Sequence, residues 1–479
     1  MQNLAGHLEI LTQDEMDQIH QGAVSILEET GITIPDEEVL RLLADSGIKV
    51  EFDLKKAFFN EDQVKDAINK SPAEYKWHAK TPDFDLHIGG NVVTYGIAST
   101  ISHVIDLEGI KRPATVADAI NFSKLSNDLD LLCDAYCGVW PTDVPAGSEH
   151  AHMAYAQMVY SQKPPRARLH GLTQAQDSIA MARMIANGEQ ALKDKPMLMG
   201  LYSPLSPLAH TQEQFEGGIE LIKNGQLLII CPGIYGGAIG PVTPAGTLTL
   251  ITAEFLCMLT VAQIVNPGTP IGFGNFSSVL DMRTGAGPMS TPEGCLINTA
   301  VAQLARFYNV PSRGHAGTDS NLPDAQSGFE SASKLLTGTL AGLNHISHSV
   351  GFVDGGRALS YESLFTDHEV LSFVNHYQLG MEVNEETLAV DLIKKMGPKG
   401  SYITEMHTLK HMRKNYIPEL SNRMAWDNWQ KAGATSMAQR ANEKARSLLE
   451  KEHPEYVDEK LKAELLDYVK HTETRSASE

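Results

Sequence analysis

The sequence has few cysteines and few basic residues for its length. Among 479 residues there are five cysteines, and no two of them form a CxxC pair. A disulfide scaffold and a four-cysteine zinc site are therefore disfavoured, and a reducing cytoplasm is expected. Lys and Arg number 39 against 59 Asp and Glu, so the net charge is −20. A surface this acidic argues against nucleic acid or an anionic membrane as a partner.

Several motifs that identify common enzyme classes are also missing. No GxGxxG follows a strand, no GKS or GKT closes a phosphate loop, and neither HExxH nor GxSxG occurs. These absences exclude Walker-type nucleotide binding and disfavour a dinucleotide fold, a zinc peptidase and a serine hydrolase. We expect no resident metal. The N-terminal residues show no basic segment followed by an apolar run, so no secretory signal is expected.

One uncharged stretch, residues 226–253, is long enough to span a bilayer. Three prolines and five glycines interrupt it, and a lipid-exposed chain could not satisfy its backbone hydrogen bonds through such a loop. The stretch therefore predicts a buried strand, a Gly/Pro loop and the start of a buried helix.

Apolar runs alternate with helical periodicity through the middle of the chain. The spacing of the runs is that of a βα unit, and with one more strand it predicts a (β/α)8 TIM barrel. An open doubly wound sheet is the rival architecture. We expect an N-terminal helical and β-hairpin region over 1–110, the barrel over 111–400 and packed helices over 401–479. The predicted strands are 131–137, 165–170, 196–202, 226–232, 269–275, 310–315 and 345–353, with 92–98 as the eighth.

Three segments carry a family resemblance. The N-terminal pattern is LTQDEMDQIHQGAVSILEETGI followed by SPAEYKWHAKTP, and the C-terminal pattern is HTLKHMRKNYIPELSNRMAWDNWQKAGATSMAQRANEKA. Between them lies GHAGTDSNLPDAQSGFES. In this order the segments resemble the trimethylamine methyltransferase superfamily, over roughly residues 10–450.

The resemblance implies a TIM barrel that moves a methyl group from a methylated amine to the Co(I) of a separate corrinoid protein. The segment that bears pyrrolysine in true trimethylamine methyltransferases holds ordinary residues here, Asn321 and Leu322. The pyrrolysine-free branch is similar to methyltransferases for quaternary amines such as glycine betaine, proline betaine and carnitine. Glycine betaine is the first choice of substrate, and a homo-oligomer is expected.

The chemistry of a quaternary amine needs no general acid, because the nitrogen already carries its full charge and leaves with the electron pair. The site should hold the cation by aromatic faces and any carboxylate by donors at the carboxyl ends of the barrel strands. We predict His348 as the catalytic residue. The predicted substrate-binding residues are Tyr95, Tyr136, Tyr202, Phe276, Arg313 and Phe352.

Gly-rich loops follow two of the predicted strands, and backbone without side chains allows close approach of a large flat group such as a corrin ring. The predicted cofactor-contacting residues are Gly236, Gly237, Gly274, Asn275 and Asp319. The segment DLHIGG at Asp85 matches the DxHxxG pattern of corrinoid-binding domains. It lies in a predicted hairpin and lacks the downstream pattern, so the corrinoid is expected on another chain.

Two other hypotheses remain open from the sequence. One is a non-catalytic binding protein for betaine-like osmolytes. The other is a corrinoid methyltransferase for another amine, including trimethylamine.

Overall fold

The computed structural model describes residues 8–98 and 100–476. Its N-terminal region begins where capping residues predict. Thr12 accepts a hydrogen bond from the Glu15 backbone N–H, and the Glu15 carboxylate accepts from the Thr12 N–H, so a capping box starts the first helix. The elements of this region are α1 (Gln13–Ser25), β1 (Ile32–Thr33), α2 (Glu37–Asp45), β2 (Lys49–Glu51), β3 (Lys56–Phe58), α3 (Glu61–Lys70), β4 (Glu74–Trp77) and β5 (Leu86–Gly89).

The antiparallel hairpin of β4 and β5 packs on the amino end of the barrel. Its fully buried Trp77 donates the indole N–H to the Met197 carbonyl at 2.9 Å and meets the His345 ring edge-on at 6.1 Å. The chain turns at Gly89–Gly90, but this turn does not close a hairpin, because β5 pairs with β4 and the next strand of the chain pairs within the barrel. Both glycines have positive φ, 128° and 51°, and they lead the chain out of β5 towards the first barrel strand.

The following strands are β6 (Thr94–Tyr95), β7 (His103–Ile105), β8 (Lys111–Pro113), β9 (Met199–Tyr202), β10 (Leu227–Ile230), β11 (Tyr235–Gly236), β12 (Ile271–Gly274), β13 (Ser278–Val279), β14 (Ser312–His315), β15 (His345–Ser347), β16 (Phe352–Val353) and β17 (Ala358–Ser360). Six of them form one parallel sheet in the order β6-β15-β14-β12-β10-β9.

Two further chain segments close this sheet into a ring. Leu132 bridges Tyr95 in parallel, and Arg166 bridges Met199 in parallel. The Ala135 N–H donates to the Pro164 carbonyl at 2.9 Å, which joins the two segments to each other. The predicted (β/α)8 barrel is confirmed, with the strands at the predicted places.

Helices cover the outside of the barrel. They are α4 (Val116–Asp128), α5 (Glu149–Tyr160), α6 (Leu172–Ala186), α7 (Glu189–Asp194), α8 (Gln212–Lys223), α9 (Pro244–Val265), α10 (Pro292–Phe307), α11 (Ala325–Ala341) and α12 (Tyr361–Gln378). By length and composition α9 could cross a membrane, but 83% of its apolar window is buried inside the protein. It lies between the barrel and the N-terminal helices, where Phe255 stacks on Phe273 at 3.9 Å. The predicted strand, loop and buried helix over 226–253 are confirmed.

Glu254 is an acid in the middle of this apolar helix. Its carboxylate accepts hydrogen bonds from the Ser206 hydroxyl at 2.7 Å and the Leu208 N–H at 2.9 Å. Burial raises the pKa of Glu254 from 4.5 to about 7. The folded state therefore holds this proton more tightly than the unfolded state does, and the resulting stability is fully present below pH 4.5 and lost as the pH rises through about 7.

We expect Glu254→Gln to increase the free energy of unfolding at pH 8, relative to the unchanged protein, by about 1–3 kcal/mol. At pH near 5 the gain is expected to be much smaller, because Glu254 is then largely protonated in the folded protein. Urea unfolding at the two pH values measures the difference. An equal shift at both would show that Glu254 does not titrate in the folded protein.

The chain ends with α13 (Glu385–Leu388), α14 (Val390–Met396), α15 (Met406–His411), α16 (Trp426–Lys431), α17 (Met437–Leu449) and α18 (Glu459–Ser476). Helix α17 packs on α4 and α12, and α18 packs on α5 and α6. The predicted boundary at residue 110 is too late, because β6 is already a barrel strand. The last barrel helix ends at Gln378, so the predicted boundary at 400 is also late.

Candidate active site

A cavity of about 340 Å³ lies at the carboxyl ends of the barrel strands. Residues in or shortly after seven of the eight strands line it, which is the arrangement of TIM-barrel active sites. The lining residues are Thr100, Ile101, Arg168, Leu201, Ser203, Gln214, Cys231, Tyr235, Phe276, Met289, Arg313, His348, Phe352, Gly355 and Gly356.

Arg313 projects from β14 and is 1% exposed. Its guanidinium donates to the Asn275 carbonyl at 2.9 Å, the Cys231 sulfur at 3.1 Å, the Ser347 hydroxyl at 3.2 Å and Nδ1 of His348 at 3.3 Å. None of these partners is a carboxylate, and among the described residues Arg313 forms no ion pair with an acid. Burial lowers the pKa of Arg313. A buried guanidinium without a counter-ion is costly, and an anionic ligand would offset that cost.

Arg166 lies deeper in the barrel and is neutralised. It donates to the Asp134 carboxylate, to Nε2 of His345 at 3.0 Å and to the Ser347 hydroxyl at 3.3 Å. The ligand atoms of Cys133, Asp134 and His345 lie within 4.8 Å of one another, which is a spacing suited to a metal. However, the Arg166 guanidinium is hydrogen-bonded to Asp134 and His345, and its positive charge beside them disfavours a metal cation. The expected absence of a resident metal stays a prediction.

Arg168 is the second arginine of the cavity wall. It donates to the Thr100 hydroxyl at 2.6 Å and the Tyr136 hydroxyl at 3.2 Å, and it stacks on the Trp140 ring at 5.2 Å. In the described part of the chain it too forms no ion pair with a carboxylate. The cavity wall thus holds two arginines and no acid. Such a wall favours a ligand that carries a carboxylate over one that carries only a positive charge.

Aromatic rings also line the cavity, and the Arg313 guanidinium lies 5.9 Å from the centre of the Phe276 ring. The Phe276 ring lies 5.2 Å from the His348 ring, which lies 4.9 Å from the Phe352 ring. Phe352 packs against Gly317 and Gly356, and a Cβ on either glycine would come within 2.5 Å of the ring. The glycines therefore allow the ring to reach the cavity. Clustered rings of this kind suit a cation that has no N–H to donate.

His348 connects the arginine side to the aromatic side. Its backbone has φ 57°, a left-handed conformation that is uncommon outside glycine and often marks a functional site. Burial, and secondly the positive charge of Arg313, hold the pKa of His348 well below its usual value. The imidazole is therefore neutral, and because Nδ1 accepts from Arg313, the proton resides on Nε2.

The structure places two of the predicted substrate-binding residues outside the cavity. Tyr95 and Tyr202 are buried on the outer side of the barrel strands, where the Tyr95 hydroxyl bonds the Thr339 hydroxyl at 3.0 Å and the Tyr202 hydroxyl bonds His210. Side chains alternate along a strand, and in β6 it is Thr94 that meets the interior residue His345. Tyr136 does not line the cavity itself, but its hydroxyl accepts a hydrogen bond from the cavity residue Arg168.

The predicted cofactor-contacting residues also fall into two groups, one away from the cavity and one at its face. Gly274 and Asn275 are buried between the barrel and its helices: Gly274 packs on Ile229, and the Asn275 amide donates to Asn298 at 3.0 Å. Neither residue lines the cavity, and their contact with a cofactor stays a prediction.

Gly236, Gly237 and Asp319 lie in loops at the cavity face. Gly237 is exposed with φ 92°, beside the cavity residue Tyr235. The Asp319 carboxylate accepts from the backbone N–H groups of Met289 and Ser290 at 2.8–3.0 Å. Asp319 thereby fixes the loop that brings Met289 to the cavity, so the role that Asp319 has in the structure is to hold this loop in place.

Several cavity residues were not singled out from the sequence. Cys231 lies directly after β10 and was identifiable as a strand-end residue. Ser203 directly follows the preceding strand, β9, in the same way. Tyr235 comes from the short strand β11, Met289 from a loop and Gln214 from α8, and no spacing pattern marks them.

A (β/α)8 barrel with an arginine- and aromatic-lined cavity at its strand ends has the architecture of a barrel enzyme for a small charged substrate. The family model for trimethylamine methyltransferase (MTTB) matches residues 1–477, and the chain belongs to this family. The predicted family and the predicted class, a methyltransferase acting on methylated amines, are confirmed.

Three relatives illustrate the similarity. The glycine betaine methyltransferase of Desulfitobacterium hafniense strain Y51 is 34% identical over 96% of both chains. The trimethylamine methyltransferase MttB of Desulfitobacterium hafniense DCB-2 is 30% identical over 96% of this chain and 93% of the relative. The solved monomethylamine methyltransferase of Methanosarcina barkeri is 13% identical, with a TM-score of 0.44 over 94% of this chain and 95% of that one.

Proposed function

We propose that this protein transfers a methyl group from glycine betaine to the Co(I) of a corrinoid carried by a separate protein, and releases dimethylglycine. The observation that carries the proposal is the cavity wall with two arginines that lack acidic partners and no carboxylate. Glycine betaine brings one carboxylate and one quaternary ammonium group. The 34% identity to a glycine betaine methyltransferase supports the same substrate.

The same wall argues against amines that lack an acid group. Choline and trimethylamine would leave the Arg313 guanidinium buried without a counter-ion. Trimethylamine also needs activation of its nitrogen before that nitrogen can leave. The residues at the position that resembles the pyrrolysine segment are Asn321 and Leu322, both exposed and neither able to supply that activation.

The residues of this chain bind and orient the substrate and exclude water from it. Arg313, with Arg168 at the opposite edge, pairs with the substrate carboxylate. Phe276, Phe352 and the neutral ring of His348 face the trimethylammonium group and replace its hydration shell. As the C–N bond breaks, its electron pair stays on nitrogen, so dimethylglycine leaves without receiving a proton.

The methyl acceptor is supplied by the partner: a corrinoid in the Co(I) state provides the strong nucleophile. The face of the barrel around the cavity fits a large flat group, because four of its loops present exposed apolar side chains. These are Leu205, Ile239, Val242, Met282 and Leu322. Gly237 lies among them and adds no side chain. All five cysteines are free, which supports a cytoplasmic location.

Formation of dimethylglycine in the presence of cob(I)alamin tests the proposal. Glycine betaine is expected to be the best substrate, with choline and trimethylamine much poorer. Equal turnover of choline would refute the pairing of Arg313 with a carboxylate. Faster turnover of proline betaine or carnitine would change the substrate but retain the reaction. Tight binding of glycine betaine without turnover would identify a binding protein.

The aromatic side of the cavity gives a separate prediction. We expect Phe276→Ala to raise KM for glycine betaine about thirtyfold, since a desolvated cation–π contact contributes about 2 kcal/mol. Tyr95→Phe, which alters an aromatic residue on the outer side of the same barrel, is the matched control and should leave KM unchanged. Initial rates of dimethylglycine formation measure both. An unchanged KM in Phe276→Ala would remove this ring from the cation site.

A further inference from the structure

Residues 379–431, here called the arm, leave their apolar side chains uncovered. The segment is 53 residues of 479, yet it holds fourteen of the thirty-one exposed large apolar side chains in the described residues. Leu420 is its only buried residue. The fourteen are Leu379, Met381, Val383, Leu388, Val390, Ile393, Tyr402, Ile403, Met406, Leu409, Met412, Ile417, Met424 and Trp426.

The arm is nevertheless a folded segment. A capping box at Asn384 starts α13, and Lys395 pairs with Glu405 at 3.1 Å across the arm. The Glu369 carboxylate on α12 accepts the backbone N–H groups of residues 419–421 at 3.0–3.1 Å, which ties the arm to the barrel. Polar contacts thus define its shape, while the burial that normally stabilises such a segment is missing from the single chain.

The start of the arm lies away from the cavity face, which argues against the corrinoid protein as its cover. Helix α12 begins beside the cavity loops, where Asp367 accepts from the Gly351 N–H at 2.9 Å. Like every helix that follows a barrel strand, it then runs back towards the amino ends of the strands. The arm starts at its far end, at Leu379. A partner that delivers a cofactor to the cavity must approach the opposite face.

We propose that the arm is covered by a second copy of this chain, in a twofold-symmetric dimer in which the two arms pack against each other. Fourteen side chains, each exposing on the order of 100 Å², offer about 1,400 Å² of apolar surface, and a stable interface needs roughly 800 Å² from each partner. Trp426, 68% exposed, is the kind of residue that anchors such interfaces.

Charge supports self-association at this place. The arm carries eight Lys and Arg against seven Asp and Glu, while the whole chain carries −20. Two copies therefore repel each other over most of their surface and meet without repulsion only where the charge is balanced. A closed twofold interface also prevents the exposed apolar residues from recruiting further copies.

Sedimentation velocity of the full chain tests the dimer. The unchanged protein is expected to sediment as a dimer at micromolar concentration. The triple variant Ile403→Ser, Met406→Ser, Ile417→Ser should weaken the dimer at least about 100-fold. The control Phe52→Ser, Leu54→Ser, Ile110→Ser removes three exposed apolar residues outside the arm and should leave the dimer intact. A monomeric unchanged protein, or a triple arm variant that dimerises normally, would overturn the proposal.

Hydrogen exchange of the unchanged protein gives a measurement that needs no variant. Amides of residues 379–431 should lose protection on dilution through the dimer dissociation constant, while barrel amides should not. Exchange in the arm that is independent of protein concentration would also overturn the proposal. Neither readout depends on turnover, so the dimer stands or falls separately from the proposed reaction.

Discussion

Arg313→Met is expected to lower kcat/KM for glycine betaine by roughly 1,000-fold, equivalent to about 4 kcal/mol. Arg313 is the more deeply buried of the two cavity arginines, so its charge depends most on a substrate carboxylate, and the neighbouring Arg166 is already bound to Asp134. Methionine keeps a long apolar stem and removes the charge. The substrate carboxylate would then be desolvated without a donor, which is the costly case.

The control for this prediction is Arg183→Met, on α6, where the guanidinium donates to Asn224 at 2.8 Å and lies outside the cavity. Its kcat/KM is expected to be unchanged. A second check is the preference for glycine betaine over choline, which should fall in Arg313→Met because choline gains nothing from the guanidinium. An equal loss for both substrates, accompanied by a lower melting temperature, would show that Arg313 serves only the fold.

The barrel was predictable from the sequence because its strands are buried apolar runs at regular spacing. This spacing is visible in the sequence without any knowledge of the contacts. The orientation of single residues was not. β6 is only two residues long, so the sequence does not show whether Tyr95 or Thr94 faces inward. The sequence also does not show that Tyr202, at the end of β9, faces the outer side of the barrel.

The choice between the arginines needed the fold as well. Arg166, Arg168 and Arg313 all lie within predicted strands, and although the sequence led us to predict Arg313, it does not show which of the three is paired with a buried acid. Only the closed ring brings Asp134 next to Arg166 and leaves Arg313 with neutral partners. For the same reason the uncovered arm could not be found from its sequence, since its apolar residues have ordinary helical spacing.

His348→Asn is expected to lower kcat for methyl transfer roughly 100-fold and to change KM little. Asparagine tolerates the left-handed backbone at this position and offers an oxygen to the Arg313 guanidinium, so the arginine stays oriented. What is lost is the ring between Phe276 and Phe352, which excludes water beside the reacting methyl group.

The pH profile of the rate distinguishes water exclusion by His348 from proton transfer by His348. Burial, and secondly the charge of Arg313, hold the pKa of His348 well below its usual value, so we expect the ring to be neutral at pH 6.5 and above. The rate of the unchanged enzyme should therefore show no inflection near pH 6.5, the usual histidine value. An inflection there that disappears in His348→Asn would mean that the ring exchanges a proton during turnover. A flat profile with the expected loss in kcat would instead assign His348 to positioning and desolvation, which are the only tasks that a quaternary ammonium substrate leaves to the protein.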